Sequence, residues 1–368
     1  MKFTMQRENL LKPLQAVQGV VERRQTLPIL ANFLLAIDGG RLSVTGTDME
    51  IELVASTELP DAEAGEVTVP ARKLVDICRS LPADAEIRVE VDGERAQVRS
   101  GRSRFTLTTL PAGDYPGSDS LTGELSLTVK EAELRRLIEL THFAMAHQDV
   151  RYYLNGLLLD IGEGVLRAVA TDGHRLAIAE IPVVASVDTA RQVIVPRKGI
   201  SELLRLLGSG DEEVTIDVGS NAIQFTLPEV RLTSKLIDGK FPDYRRVVPT
   251  EEASDKQIVV DKELLRQSLA RASILSNDKY RAVRLSLEPN VLRIVANNPE
   301  QEEAEDEVEV AYEGEGLEIG FNVSYLIDAL SALPGEEALI CLGDSGSSCL
   351  ITPKGEGDCQ YVVMPMRL

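Results

Sequence analysis

Two hydrophobic periods take turns along this chain. Leu10, Leu14, Val17 and Val21 recur at helical spacing, as do Leu134, Ile138, Thr141 and Met145, and later Leu265, Leu269 and Ala272. Each set predicts an amphipathic helix. A second series predicts another helix after each of these: Leu74, Cys78 and Leu81, then Ile200, Leu203, Leu204 and Leu207, then Val323, Leu326, Ile327 and Leu330. Pro70 and Pro196 stand where a first-turn proline forfeits no hydrogen bond, and so mark two helix starts. Between helices the pattern alternates or forms short apolar runs, broken by Asp38-Gly39-Gly40, Asp92-Gly93 and Asp238-Gly239. Leu42 and Val44, set between Arg41, Ser43 and Thr45, read as a half-buried strand.

These elements repeat in phase. Ser43-Val44-Thr45-Gly46-Thr47-Asp48 returns as Arg167-Ala168-Val169-Ala170-Thr171-Asp172 and, more weakly, as Arg293-Ile294-Val295-Ala296-Asn297-Asn298. Val67-Thr68-Val69-Pro70-Ala71-Arg72-Lys73 is answered by Gln192-Val193-Ile194-Val195-Pro196-Arg197-Lys198 and by Leu317-Glu318-Ile319-Gly320-Phe321-Asn322. Each unit also opens alike, on Phe3-Thr4-Met5, Leu127-Thr128-Val129 and Ile258-Val259-Val260. A repeat held over the whole chain sets the architecture. The expected fold is α+β: three tandem, similar domains at 1–125, 126–250 and 251–368, each with two helices packed on antiparallel sheet.

Composition narrows the function. The chain is 43% hydrophobic, contains no apolar run of the about 18 residues a membrane span needs, and has no signal-peptide core behind Met1-Lys2-Phe3, so it reads as cytoplasmic, with no membrane partner. Cys78, Cys341, Cys349 and Cys359 form no Cys-x-x-Cys pair and have no histidine nearby, which suits buried thiols better than zinc or disulfides. Catalysis has little to draw on. The only histidines are His142, His147 and His174, and nucleophile-elbow, phosphate-loop and His-Glu-x-x-His motifs are absent, although Asp172, His174 and Ser345, Ser347 or Ser348 are the set an enzyme would use. No cofactor and no metal are expected.

The net charge of -20 looks hostile to nucleic acid, but it is unevenly placed. The second helices carry Arg72, Lys73 and Arg79 in the first unit and Arg197, Lys198 and Arg205 in the second, and the first helix is expected to end in Arg23-Arg24. Acid collects in Glu300-Gln301-Glu302-Glu303-Ala304-Glu305-Asp306-Glu307. Basic helices on one side of tandem domains suit phosphate; ordinary solvated helix faces are the alternative. Closing such an arc needs a head-to-tail joint between unlike ends. The candidates are Lys73, Arg102, Arg104 and Phe105 on one end, and Ile274, Leu275, Glu300, Glu302, Glu303 and Glu305 on the other. The acidic run otherwise reads as a solvated loop, since it lacks a calcium-loop pattern. A monomeric scaffold whose domains bind peptides without closing around DNA is the rival reading.

Several longer stretches give the chain a resemblance: Thr26-Leu27-Pro28-Ile29-Leu30, Gln148-Asp149-Val150-Arg151-Tyr152-Tyr153-Leu154-Asn155-Gly156, Ala170-Thr171-Asp172-Gly173-His174-Arg175-Leu176, Gly239-Lys240-Phe241-Pro242-Asp243-Tyr244, Asn297-Asn298-Pro299-Glu300-Gln301-Glu302-Glu303 and Tyr361-Val362-Val363-Met364-Pro365-Met366-Arg367-Leu368. Along all 368 residues it resembles the bacterial replicative sliding clamps, the beta subunits of DNA polymerase III holoenzyme. The resemblance implies a head-to-tail homodimer that forms a six-domain ring around duplex DNA, without enzymatic activity. It further implies tethering of the DNA polymerase III alpha subunit, loading by a clamp-loader ATPase, and binding of other polymerases and repair proteins.

By position, Arg24 and Gln148, with Tyr152 and Tyr153 close by, match DNA-contacting residues of the family; Arg72, Lys73, Arg197 and Lys198 join them from the helix argument alone. A peptide-binding groove maps onto Leu154, Thr171, Gly173, His174, Arg175, Leu176, Pro242, Arg246, Val247, Asn322, Tyr325, Val362, Met364, Pro365, Met366 and Arg367. Met364 and Met366 offer adaptable apolar surface, and Arg175 and Arg246 are candidates to fix a peptide's polar groups. Read without the family, the Val-Val-Met-Pro-Met strand is packed core. Gly346 departs from the family, which carries a larger residue in the groove wall there.

Overall fold

The computed structural model describes residues 1–368 apart from 22–26, 118–120, 122, 163, 184–189, 251–253, 356 and 368, so Arg23, Arg24 and Leu368 lie outside the described residues. The repeat is realised strand for strand. The first unit runs β1 (Lys2–Gln6), α1 (Arg7–Gln18), β2 (Asn32–Asp38), β3 (Arg41–Thr47), β4 (Ile51–Glu58), β5 (Gly65–Pro70), α2 (Ala71–Ser80), β6 (Glu86–Asp92), β7 (Arg95–Ser100) and β8 (Ser103–Thr108). The second runs β9 (Leu125–Lys130), α3 (Glu131–Glu139), β10 (Gly156–Gly162), β11 (Val165–Thr171), β12 (Arg175–Pro182), β13 (Arg191–Pro196), α4 (Arg197–Leu206), β14 (Glu213–Val218), β15 (Ala222–Thr226) and β16 (Val230–Lys235). The third runs β17 (Lys256–Asp261), α5 (Lys262–Ala272), β18 (Ala282–Glu288), β19 (Val291–Asn297), β20 (Glu303–Glu309), β21 (Leu317–Asn322), α6 (Val323–Ala332), β22 (Glu337–Leu342), β23 (Cys349–Pro353) and β24 (Cys359–Val363).

Each repeat makes two four-stranded antiparallel sheets, and neighbouring repeats fuse them. The orders are β1-β6-β7-β8, then β5-β2-β3-β4-β16-β15-β14-β9, then β13-β10-β11-β12-β24-β23-β22-β17, then β20-β19-β18-β21. The chain accordingly gathers into two compact units, Met1–Ala132 with Ser201–Leu236 and Glu133–Ile200 with Ile237–Leu368. The second repeat contributes half of each eight-stranded sheet, which is why compactness and repetition divide the chain differently. Two edge strands, β8 and β20, end the outer sheets with one side unpaired.

Local differences from the sequence reading have local causes. The first helix stops at Gln18, before Val21, and α3 stops at Glu139. Past it, the Thr141 hydroxyl donates to the Leu137 carbonyl at 2.9 Å, and His142–Ala144 tightens into a 3-10 turn. Pro70 and Pro196 are the last residues of β5 and β13 and precede their helices instead of opening them, because strand runs directly into helix. The small residue in each repeated word also has a cause. A Cβ on Gly46 would sit 2.6 Å from Val17 of α1, so the helix crosses this strand where it has no side chain.

The core follows the alternation, with Phe3, Leu10, Phe33, Leu42, Phe225, Phe321 and Tyr361 fully enclosed. All four cysteines are free and buried. Among the described residues no helix is long and apolar enough to cross a membrane, and no three His, Cys, Asp or Glu side chains cluster as metal ligands.

Candidate functional site

A cleft of about 210 Å³ opens in the second compact unit. Its apolar base follows from the ends of strands: Leu154 from a 3-10 turn at Tyr152–Leu154, Leu176 at the start of β12, and Val362 at the end of β24. These belong to a buried cluster with Leu158, Val169, Ile178, Ile194 and Phe241. Pro242, Tyr244 and Val247, in the segment after β16 that carries a 3-10 turn at Tyr244–Arg246, supply one wall, and Thr171, Gly173, Arg175, Met364, Arg151 and Tyr153 complete the lining.

The turn between β11 and β12 is built from its own side chains. The Thr171 hydroxyl donates to the Arg175 carbonyl and accepts from the Gly173 amide, while Asp172 Oδ1 accepts from the amides of His174 at 2.9 Å and Arg175 at 3.1 Å. Gly173 has φ +89°, and a Cβ there would lie 2.7 Å from the Arg151 guanidinium. Glycine is required on both counts. Arg151 uses the space, donating to Asp149 Oδ2 at 2.8 Å and to the Asp172 carbonyl at 3.0 Å. Its hydrogen bonds hold the Asp149 carboxyl down to about 2.

Arg175 is committed to the wall. It donates to Asp172 Oδ2 at 3.0 Å, Asp328 Oδ2 at 2.6 Å and the Phe143 carbonyl at 2.9 Å, and its guanidinium lies 4.5 Å from the Tyr325 ring centroid. Each of its three nitrogens therefore already donates inside the protein, and it contributes its flat face and charge to the cleft.

Of the sixteen groove positions expected from sequence, Leu154, Thr171, Gly173, Arg175, Leu176, Pro242, Val247, Val362 and Met364 meet at this cleft; His174, Arg246, Asn322, Tyr325, Pro365, Met366 and Arg367 are not among its lining residues. His174 is exposed and accepts the Met364 amide on its carbonyl at 2.9 Å. Arg246 projects into solvent, paired with Asp243 at 2.8 Å. Asn322 caps α6, Tyr325 lies behind Arg175, Pro365 is half-buried, Met366 bridges to the Gly320 carbonyl at 2.8 Å, and Arg367 is exposed. Gly346 sits in a turn closed by Asp344, outside the lining. Arg151 and Tyr244 were missed and Tyr153 was assigned to DNA alone. The signal for all three was present in the two stretches around residues 148–156 and 239–244.

The charged candidates lie elsewhere. Arg72 and Lys73 are exposed on α2, Arg72 loosely paired with Asp76 at 4.0 Å. Arg197 and Lys198 are half-buried, and Arg197 donates to the Met145 carbonyl at 3.0 Å. Gln148 is exposed at φ +56°, near Tyr152, whose ring meets Tyr153 edge-on at 5.8 Å. Arg24 lies outside the described residues. On edge strand β20, Glu303 and Glu305 are exposed, as are Glu300 and Glu302 in the preceding turn; Ile274, 77% exposed, and half-buried Leu275 follow α5. Edge strand β8 carries exposed Arg104 and half-buried Phe105, with exposed Arg102 in the turn before it.

Comparison with known proteins agrees along the whole chain. Residues 1–119, 128–243 and 245–367 match the N-terminal, central and C-terminal domains of the DNA polymerase III beta subunit. The beta sliding clamps of Pseudomonas putida and Escherichia coli are 56% and 54% identical over 369 residues, covering 100% of both chains in each case. A crystal structure of the Pseudomonas aeruginosa sliding clamp bound to griselimycin superposes with a TM-score of 0.97 at 56% identity, and the Caulobacter crescentus pol III beta structure with 0.94 at 42%, each covering 100% of both chains. The chain therefore belongs to the bacterial beta sliding clamps, the non-catalytic beta subunits that serve DNA polymerase III as processivity factors.

Proposed function

We propose that two copies close head to tail into a ring around duplex DNA, through the edges β8 and β20. The observation that carries this is that the two internal sheet junctions share one register. The transverse rows Phe3, Val89, Val98, Phe105; Leu127, Ile216, Phe225, Leu232; and Ile258, Ile340, Ile351, Tyr361 make Phe105, Leu232 and Tyr361 equivalent. Leu232 pairs with Leu53 and Tyr361 with Ala177, whose counterpart in the third repeat is Ala304. The same junction made between chains sets Phe105 of one copy opposite Ala304 of another. Arg104 then faces Glu305, and Arg102 faces Glu307. Opposite charges directly across a ladder stabilise it, whereas pairing either edge with itself would oppose like charges. Ile274 and Leu275, beside β20, and Lys73 complete the joint.

Within the ring, Arg72, Lys73, Arg197 and Lys198, with Arg24, Gln148, Tyr152 and Tyr153, are the residues for phosphate contact. Such contacts are non-specific and weaken with salt, which lets the ring slide while topology retains it. The cleft receives a short linear peptide of the polymerase alpha subunit, the clamp loader, or other polymerases and repair proteins, in the cytoplasm. One repeat goes to each domain, with boundaries proposed at 125/126 and 250/251, the first of which falls one residue inside β9. The test is retention on DNA. Protein loaded on nicked circular DNA should remain bound and should run off once the circle is linearised; equal retention on both forms would refute encirclement and favour a scaffold that merely adheres.

A further inference from the structure

The segment at residues 241–248 that forms one wall of the cleft is fastened from behind by a buried charge. Tyr244, 5% exposed, donates its hydroxyl to Asp160 Oδ2 at 2.7 Å, and Asp160 on β10 is itself only 4% exposed. Arg245 reaches the same oxygen at 3.3 Å, and Arg167 on β11 lies 3.9 Å from it while donating to the Tyr244 hydroxyl at 3.4 Å. Arg167 is in turn held by Glu180 at 2.6 Å.

The repeat says what this carboxylate is not for. In the strand registers Asp160 pairs with Arg167, and Arg167 with Glu180; the matching rows are Ala36, Ser43 and Ser56 in the first repeat and Ser286, Arg293 and Glu307 in the third. The same strand is thus built with Ala36 or Ser286 where the second repeat buries an acid. In the first repeat, the linker tyrosine Tyr115 donates its hydroxyl to backbone carbonyls, among them those of Asn32 and Thr45, each at 3.3 Å. A buried carboxylate is costly unless paired, and here it is spent on the one linker segment that lines the cleft.

We propose that Asp160 is a positioning residue for the groove, fixing the wall through the Tyr244 hydroxyl so that the Tyr244 ring, Pro242 and Val247 face an incoming ligand. This rests on the reading of the cleft as a ligand groove. The probe is griselimycin, titrated by calorimetry against the full-length protein. Asp160→Ala and Tyr244→Phe should each weaken binding about tenfold, as expected for one lost buried hydrogen bond. The double variant should be no weaker than either single, since both act through one contact. Asp160→Asn, which keeps an acceptor for Tyr244, should recover most of the affinity.

Full affinity in Asp160→Ala, additive losses in the double variant, or Asn no better than Ala would each overturn the proposal. If Asp160→Ala does not fold, Tyr244→Phe and Asp160→Asn still decide it: Tyr244→Phe at wild-type affinity overturns it. Val247→Asp, on the cleft lining, separates the two readings. If it abolishes binding while Asp160→Ala does not, only the positioning role falls; if it leaves binding unchanged, the ligand sits elsewhere and both fall.

Discussion

Gly173 is the residue on which the cleft turns most directly. Alanine there meets both a left-handed backbone and the Arg151 guanidinium. We expect Gly173→Ala to cost about 1–2 kcal/mol of stability and to displace Arg151, read by thermal unfolding; an unchanged melting temperature would show that the turn relaxes freely. Asp149 gives a signed pH dependence. Its carboxyl is lowered from 3.8 to about 2 by Arg151, so the Asp149–Arg151 ion pair is intact above pH 4 and is lost as pH falls through about 2. Carboxyl chemical shifts of Asp149 should titrate at the lower value. The thiols behave in the opposite sense. Burial pushes Cys78 up to about 12 and Cys359 to about 11, and also raises Cys349. Cys341 is buried as well, so at pH 8 all four should ignore a thiol reagent until the protein unfolds. At this scale the sequence was legible where one residue does one job, as with the buried cysteines. It was silent on Asp160, whose partners Tyr244 and Arg245 lie more than eighty residues away in the chain and whose single carboxylate carries no periodicity.

At the scale of elements, the period of 3.6 located every helix, and errors fell at the ends. Thr141 and Met145 extended the pattern beyond α3 because they are buried on the same side by a tighter turn. Pairing between repeats was not legible at all, since nothing in β4 or β12 names β16 or β24 as its neighbour. Once those junctions are known they predict the third. A single Arg104→Glu change should set like charges across the proposed joint at both of its occurrences in a closed dimer, weakening association about threefold to thirtyfold at cross-strand pair energies. Adding Glu305→Arg should restore it, as measured by sedimentation at falling concentration; a double variant weaker than the single would disprove this register. The junctions also explain why the cleft is apolar at one repeat boundary only. At the positions of Leu176, Val362 and Met364, the first boundary carries Glu52, Thr233 and Lys235, and they line a more polar hollow of about 400 Å³.

At the scale of the whole molecule, a net charge of -20 and basic helices are reconciled by segregation. The free edges have one more consequence. A joint between unlike strands has a direction, and a directed joint has only two fates: it returns to its start, or it grows without end. Nothing in the chemistry of β8 and β20 selects between these two fates, because every copy offers the same pair of ends. The choice lies in the accumulated twist of the sheets between those ends. Small changes in strand twist far from either edge therefore threaten to convert a closed assembly into a fibre, without altering a single contact at the joint.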